Sequence, residues 1–210
     1  MHILYYAPGS ASMAVHWLLL ELGAPHELRL VNTSAGEQKR PEYLALNPNG
    51  VVPTMLVDGE PAFEAAALLM DLADKHADAG LAPAPGTRER RYLYQWMFNL
   101  ANMVQPLFRQ WWYPAEPAGA DHADDVRTHV AVRIEAQWDR VDAHLAAHGP
   151  YLLGERLSVA DFYLTMLMRW SRNMPKPATQ WPHLAALAQR MKARPTFAAL
   201  YEREGLTEWA

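Results

Sequence analysis

The hydrophobic period along the first 77 residues changes several times. "HILYY" (2–6) is a run of strand formers that stops at the turn dipeptide Pro8-Gly9. "SASMAVHWLLLELG" then carries Met13, Trp17 and Leu20 on one helical face, with Gly23 placed as a C-terminal stop. "HELRLV" (26–31) alternates as a strand does, and the polar "NTSAGEQKRPEYLAL" leaves room only for a short helix near its end. "TMLVDGEPA" predicts a hairpin around Asp58-Gly59, and "FEAAALLMDLADKH" a helix with Glu64 in its first turn. A strand–helix–strand unit implies a parallel pair, to which the hairpin adds antiparallel neighbours. Residues 1–77 are therefore predicted to form a small α/β domain with a mixed four-stranded sheet.

"DAGLAPAPG" falls in 78–86, is rich in proline, glycine and alanine, and reads as a linker. From 87 to 210 the periodicity is helical throughout. Trp96, Leu100, Met103, Leu107 and Trp111 step by four or three, which predicts one long helix over 87–112. Val126, Val130, Ile134, Trp138, Val141 and Leu145 predict a second. "LSVADFYLTMLMRWS" is a third, opened by Ser158 as cap with Asp161 three residues on and Leu157 with Phe162 as flanking staple. "WPHLAALAQRMKA" and "PTFAALYERE" supply two shorter helices, each with a proline near its start. The fold class is α/β followed by an all-helical bundle.

Half of the chain is apolar, enough to bury a core, and the net charge is −4 without a basic run. That opposes nucleic-acid binding, which needs a basic stripe. The absence of cysteine excludes disulfides, thiolate metal sites and catalysis by a protein thiol, and it suits a reducing compartment. No apolar run approaches a membrane span and the N-terminus shows no basic leader, so a soluble cytoplasmic protein without a metal is expected.

Candidate chemistry concentrates in "LNPNGVVPTM" (46–55) and after Pro8-Gly9. A proline opening a strand has no N–H for the ladder. Either the Val52–Pro53 bond is cis, leaving the Val52 backbone open to a ligand, or a loop simply runs into an edge strand. Ser10 stands at the expected N-cap of the first helix, where its hydroxyl and the neighbouring free N–H groups form an anion-accepting end. Capping alone is the plainer role for that serine.

Four marks in order, "YYAPGSAS", "NPNGVVPT", "FEAAAL" and "LSVADF", resemble the cytosolic glutathione S-transferases over nearly the whole chain. The resemblance is to bacterial members. It implies a thioredoxin-like domain that binds glutathione, a helical domain that receives a hydrophobic electrophile, a cis proline at Pro53 and a homodimer. "YYxPGS" is similar to the serine-type delta and theta classes, in which the serine matching Ser10 activates the thiol. Aligned instead with the beta class, Tyr6 takes the place of its tyrosine and Ala11 that of its cysteine, so no mixed disulfide with the protein can form. Ser12 is a third choice, and core packing remains the default role of Tyr5 and Tyr6.

The resemblance further implies that Val52 offers its backbone to the cysteinyl part of glutathione beside Pro53. Glu64 and Ala65 would meet the γ-glutamyl end, although the family's serine is here an alanine. Gln38 and Lys39 would approach the glycyl carboxylate, or be a solvated loop pair. Asn102, Gln105, Trp111, Trp112 and Tyr113 would line the acceptor pocket between the domains. Ser158 and Asp161 are read as a folding motif without chemistry. The expected activity is conjugation of the glutathione thiolate to hydrophobic electrophiles, as in detoxification. A glutathione-dependent peroxidase or isomerase is the enzymatic alternative, and a ligand- or partner-binding protein without turnover the other.

Overall fold

The structure, a computed structural model, describes residues 1–209. Strands β1 (His2–Tyr6), β2 (His26–Leu30), β3 (Thr54–Val57) and β4 (Glu60–Phe63) form one sheet in the order β2-β1-β3-β4. β1 and β2 run parallel, and β3 runs antiparallel to both β1 and β4. The parallel pair is joined by α1 (Ser12–Glu21), which stops at Gly23 with φ +59°. The hairpin turns through Asp58 (φ +54°) and Gly59 (φ +91°), the double left-handed conformation that matches the twist of its strands. Alternation divides the sheet. Leu4 and Met55, paired and fully buried, lie on one face. Tyr5 and Thr54 lie on the other, under Tyr43 of α2 (Pro41–Leu44).

The chain forms two compact units, Met1–Ala82 with Lys192–Glu208, and Pro83–Met191. In the first, α3 (Ala65–Lys75) packs on α1. So does the last helix, Pro195–Glu204, which clusters with the sheet rather than with the helices preceding it. Three contacts account for this. The Trp17 indole donates to the Thr196 hydroxyl at 3.1 Å, the Trp17 and Phe197 rings meet edge-on at 5.1 Å, and Arg194 pairs with Glu21. Burial alone would push the Glu21 carboxyl up, but hydrogen bonds from Arg194 and Thr196 outweigh it and hold its pKa below the usual range.

The second unit is helical: α4 (Arg88–Asn99), α5 (Gln105–Trp112), the short α6 (Ala115–Ala118), α7 (Ala123–His148), α8 (Val159–Trp170) and α9 (Pro182–Lys192). The Pro195–Glu204 helix is accordingly α10. The single helix expected over 87–112 is divided by a wide π-type turn at Leu100–Val104. Pro106 explains the interruption, since its ring crowds the Asn102 carbonyl four residues back and gives no N–H in return. α8 is buried on all sides from Val159 to Arg169. Its start is built on Asp161, as the sequence implied. One carboxylate oxygen accepts the Ser158 N–H (2.8 Å) and hydroxyl (3.0 Å), the other the Leu152 N–H (2.9 Å).

Candidate functional site

Strand register decides which loops meet. Tyr6 pairs with Leu30, Tyr5 with Thr54, and Thr54 with Phe63. The exits of β1, β2 and β4 and the entry of β3 therefore share one end of the sheet. Ser10, Gln38 with Lys39, Val52 with Pro53, and Glu64 with Ala65 each belong to the segment that leaves or enters there. Four loops distant in sequence are thus gathered by topology. The surface concavity lined by Val57, Asp58, Glu60, Asp71 and Lys75 lies at the hairpin tip, the opposite end, and includes none of these residues.

The loop after β1 is a tight turn closed by the Ser10 N–H on the Ala7 carbonyl at 3.1 Å, with Gly9 at φ +66°. Pro8 and Gly9 at its centre have the type II signature. Ser10, expected as the N-cap of α1, lies one position ahead of it, because Ala11 occupies the cap. It still serves the helix, its Oγ accepting the Ser12 N–H (3.3 Å) and its carbonyl the Met13 N–H (3.0 Å). The Ser12 hydroxyl, fully buried, gives its proton to the Ala7 carbonyl and accepts the Ala7 N–H, both at 3.2 Å. Its remaining lone pair faces Ser10 Oγ at 2.9 Å, so in this state the Ser10 proton points inward. Among the described residues no hydrogen bond reaches the Ala11 N–H or the Tyr6 hydroxyl. Tyr6 is half-buried on the α1 face of the sheet, its ring 5.9 Å from that of His16. Next to this pair, burial holds the His26 imidazole below its usual pKa.

Ahead of β3 the Val52–Pro53 bond is cis. Asn47, buried and absent from the expected site, organises the approach. Its amide donates to the Val51 carbonyl (2.9 Å) and Thr54 Oγ1 (3.2 Å), while its oxygen accepts the Asn49 N–H (3.1 Å). Tyr43, its phenol pushed up by burial, adds a hydrogen bond to the Val51 carbonyl at 2.8 Å. Both hold the Val51 side of the loop. Among the described residues the Val52 N–H and C=O have no partner, so an extended ligand can pair there as an added strand.

Glu64, expected within the first turn of α3, is instead its N-cap, at φ +74° and ψ +110°. One residue has to reverse the chain between Phe63, which ends β4, and Ala65, which opens the helix. Glu64 is exposed, Ala65 buried, and among the described residues the N–H groups of Ala65, Ala66 and Ala67 find no acceptor. A carboxylate at Glu64 beside three open N–H groups suits an α-amino acid end, ammonium to the one and carboxylate to the other. On the β2 side, Gln38 Nε2 donates to the Thr33 carbonyl (3.2 Å) and leaves its Oε1 unpaired, while Lys39 Nζ donates to the Asn49 carbonyl (3.3 Å). Gly50 (φ +58°) lets these strands of loop touch, since a Cβ there would stand 2.8 Å from Lys39 Nζ and 2.9 Å from the Gln38 carbonyl.

The other expected site residues lie in the helical unit. Asn102 is exposed in the π-type turn, and Gln105 opens α5 and accepts the Tyr163 hydroxyl. Trp111 is half-buried, while Trp112 lies under the Arg172 guanidinium (5.8 Å) and Tyr113 under Arg109 (4.1 Å). Among the described residues no group of three or more His, Asp or Glu side chains is placed to hold a metal.

A mixed four-stranded sheet carrying α1 and α3, joined to a helical unit, is a thioredoxin-like domain followed by a helical bundle. Residues 10–75 match the family model for the glutathione S-transferase N-terminal domain, and 101–204 that for the C-terminal domain. The chain is 33% identical over 208 residues to glutathione S-transferase GST-4.5 of Xanthomonas campestris pv. campestris, covering 97% of this chain and 98% of that protein. A glutathione transferase homologue from Sulfitobacter, solved with bound glutathione, is 30% identical with a TM-score of 0.90 over 99% of both chains. The beta-class enzyme of Sphingomonas chungbukensis is 29% identical with a TM-score of 0.86, over 98% of this chain and 100% of that one. The chain belongs to the glutathione S-transferase family.

Proposed function

We propose that the protein transfers the thiolate of glutathione to a small hydrophobic electrophile. The observation that carries this is the set of open backbone groups at one end of the sheet: Val52 for the cysteinyl part, and the start of α3 with Glu64 for the γ-glutamyl end. Gln38 and Lys39 stand where the glycyl carboxylate would fall. A free thiol has a pKa of about 8.5, so it is mostly protonated at neutral pH. One hydrogen bond to the thiolate is worth about 1.5–3 kcal/mol, enough to lower that value by one to two pH units. Ser10 supplies it by turning its hydroxyl away from Ser12, and the open Ala11 N–H at the start of α1 adds to it.

Tyr6 is the second reading, favoured by one observation: its hydroxyl has no partner among the described residues, whereas that of Ser10 is engaged. Thiolate absorbance of the glutathione complex, titrated in the wild type, Ser10→Ala and Tyr6→Phe, separates them. The variant whose bound thiol rises by one to two pH units, with turnover of a generic aryl halide falling about tenfold at pH 6.5, identifies the donor. No binding to immobilised glutathione by the wild type would end the proposal. Asn102, Gln105, Trp111, Trp112 and Tyr113 are proposed for the acceptor. A homodimer and a cytoplasmic location complete the reading, with exposed Tyr94, Phe98 and Val132 as apolar surface for a second copy to cover.

A further inference from the structure

The turn that presents Ser10 is gripped from behind by the last helix. Glu204 ends α10 with its carboxylate fully buried. One oxygen accepts the Gly9 N–H at 2.7 Å, and the other meets His16 Nδ1 of α1 at 2.8 Å. A carboxylate has no proton to give, so Nδ1 donates and both bonds are charge-assisted. The two tethers join the turn to the body of α1 through one planar group.

The choice of Gly9 as the partner matters. In a turn of this type the central peptide, here Pro8–Gly9, can stand in either of two orientations that differ by a flip of its N–H and C=O. Glycine imposes no steric preference between them. A buried acceptor on the Gly9 N–H selects one, and by tying the turn to α1 through His16 it fixes where Ser10 and the Ala11 N–H stand relative to the helix. We propose that Glu204 is a positioning residue for thiol activation, acting through the Pro8–Gly9 peptide. This rests on the reading of the β1–α1 turn as the thiol site.

The sign of one measurement distinguishes positioning from a simple field effect. Loss of a buried negative charge close to a thiolate would lower the thiol pKa, whereas loss of the turn geometry raises it. Thiolate absorbance of the glutathione complex is titrated in the wild type, Glu204→Ala, Glu204→Gln and Ser10→Ala, well below the unfolding temperature of each. In Glu204→Ala the bound thiol should rise by about one pH unit, with kcat down about tenfold at pH 6.5 and the glutathione KM changed less than threefold. Glu204→Gln retains an acceptor for the Gly9 N–H and should stay within threefold of wild type in kcat. If Glu204→Ala does not accumulate as folded protein, Glu204→Asp carries the same test, its acceptor drawn back from Gly9 by one methylene. An unchanged or lowered thiol pKa in the folded variant overturns the inference and leaves Glu204 an anchor of the fold. A shift in Ser10→Ala without one in Glu204→Ala refutes the inference alone; no shift in either also removes the β1–α1 turn as the source of thiol activation and leaves Tyr6. A shift in Glu204→Ala alone supports the inference, with the Ala11 N–H as the donor that the turn aims.

Discussion

Asn47 shows how much a single side chain contributes to a site it never touches chemically. It is buried and fastens Asn49, Val51 and Thr54, so that the loop is held while the Val52 N–H and C=O stay open. Asn47→Ala should cost about 2 kcal/mol in urea unfolding, from buried groups left unpaired, and raise the glutathione KM severalfold as the loop loosens. Ala65→Ser works in the other direction. It adds a hydroxyl donor beside open N–H groups and, at about 1 kcal/mol, should tighten glutathione about fivefold by calorimetric titration. Weaker binding in that variant would move the peptide elsewhere. The places of Ser10, Val52, Glu64 and Ala65 at strand ends and helix starts were legible in the sequence because local motifs mark them, whereas the roles proposed for them toward glutathione came from the family resemblance. Asn47 was visible only as turn composition. Glu204 carried no signal at all, since its partners lie 188 and 195 residues away and no period links them.

Elements were legible wherever one period ran unbroken, and least so where a wide turn preserved it. The apolar steps of four and three pass straight through Leu100–Val104, so the π-type turn ahead of Pro106 leaves almost no trace in the pattern. The start of α8 behaves differently, because its capping residues form a local motif. Burial raises the Asp161 pKa from 3.8 to about 6, against the hydrogen bonds from Leu152 and Ser158 that lower it. The folded chain thus holds this proton more tightly than the unfolded one. Its contribution to stability is complete below pH 3.8 and is lost as pH rises through about 6. Asp161→Asn abolishes that titration and leaves either the Ser158 or the Leu152 N–H without its acceptor. The variant should be less stable throughout, and its deficit about 2–3 kcal/mol larger at pH 4 than at pH 7.5 in urea unfolding. A deficit independent of pH would show that Asp161 is charged in both states.

At the scale of the whole molecule, the sheet unit depends on a helix from the far end of the chain. Without α10, Trp17 loses Thr196 and Phe197, Glu21 loses Arg194, and His16 keeps a buried Nδ1 with no acceptor. A chain cut after Ala193 should therefore lose more than 3 kcal/mol from the sheet unit, read as rapid proteolysis within 1–82. Resistance of that segment would show that α10 merely rests on it. The same dependence has a consequence in time. On a ribosome adding about 5–20 residues per second, the first 82 residues emerge complete in strands and early helices but lacking one wall. They must wait on the order of ten seconds while 83–191 is made, with the apolar flank of α1 open to water or to a chaperone. The sheet unit, though its larger part is translated ahead of the helical one, is then completed only after it.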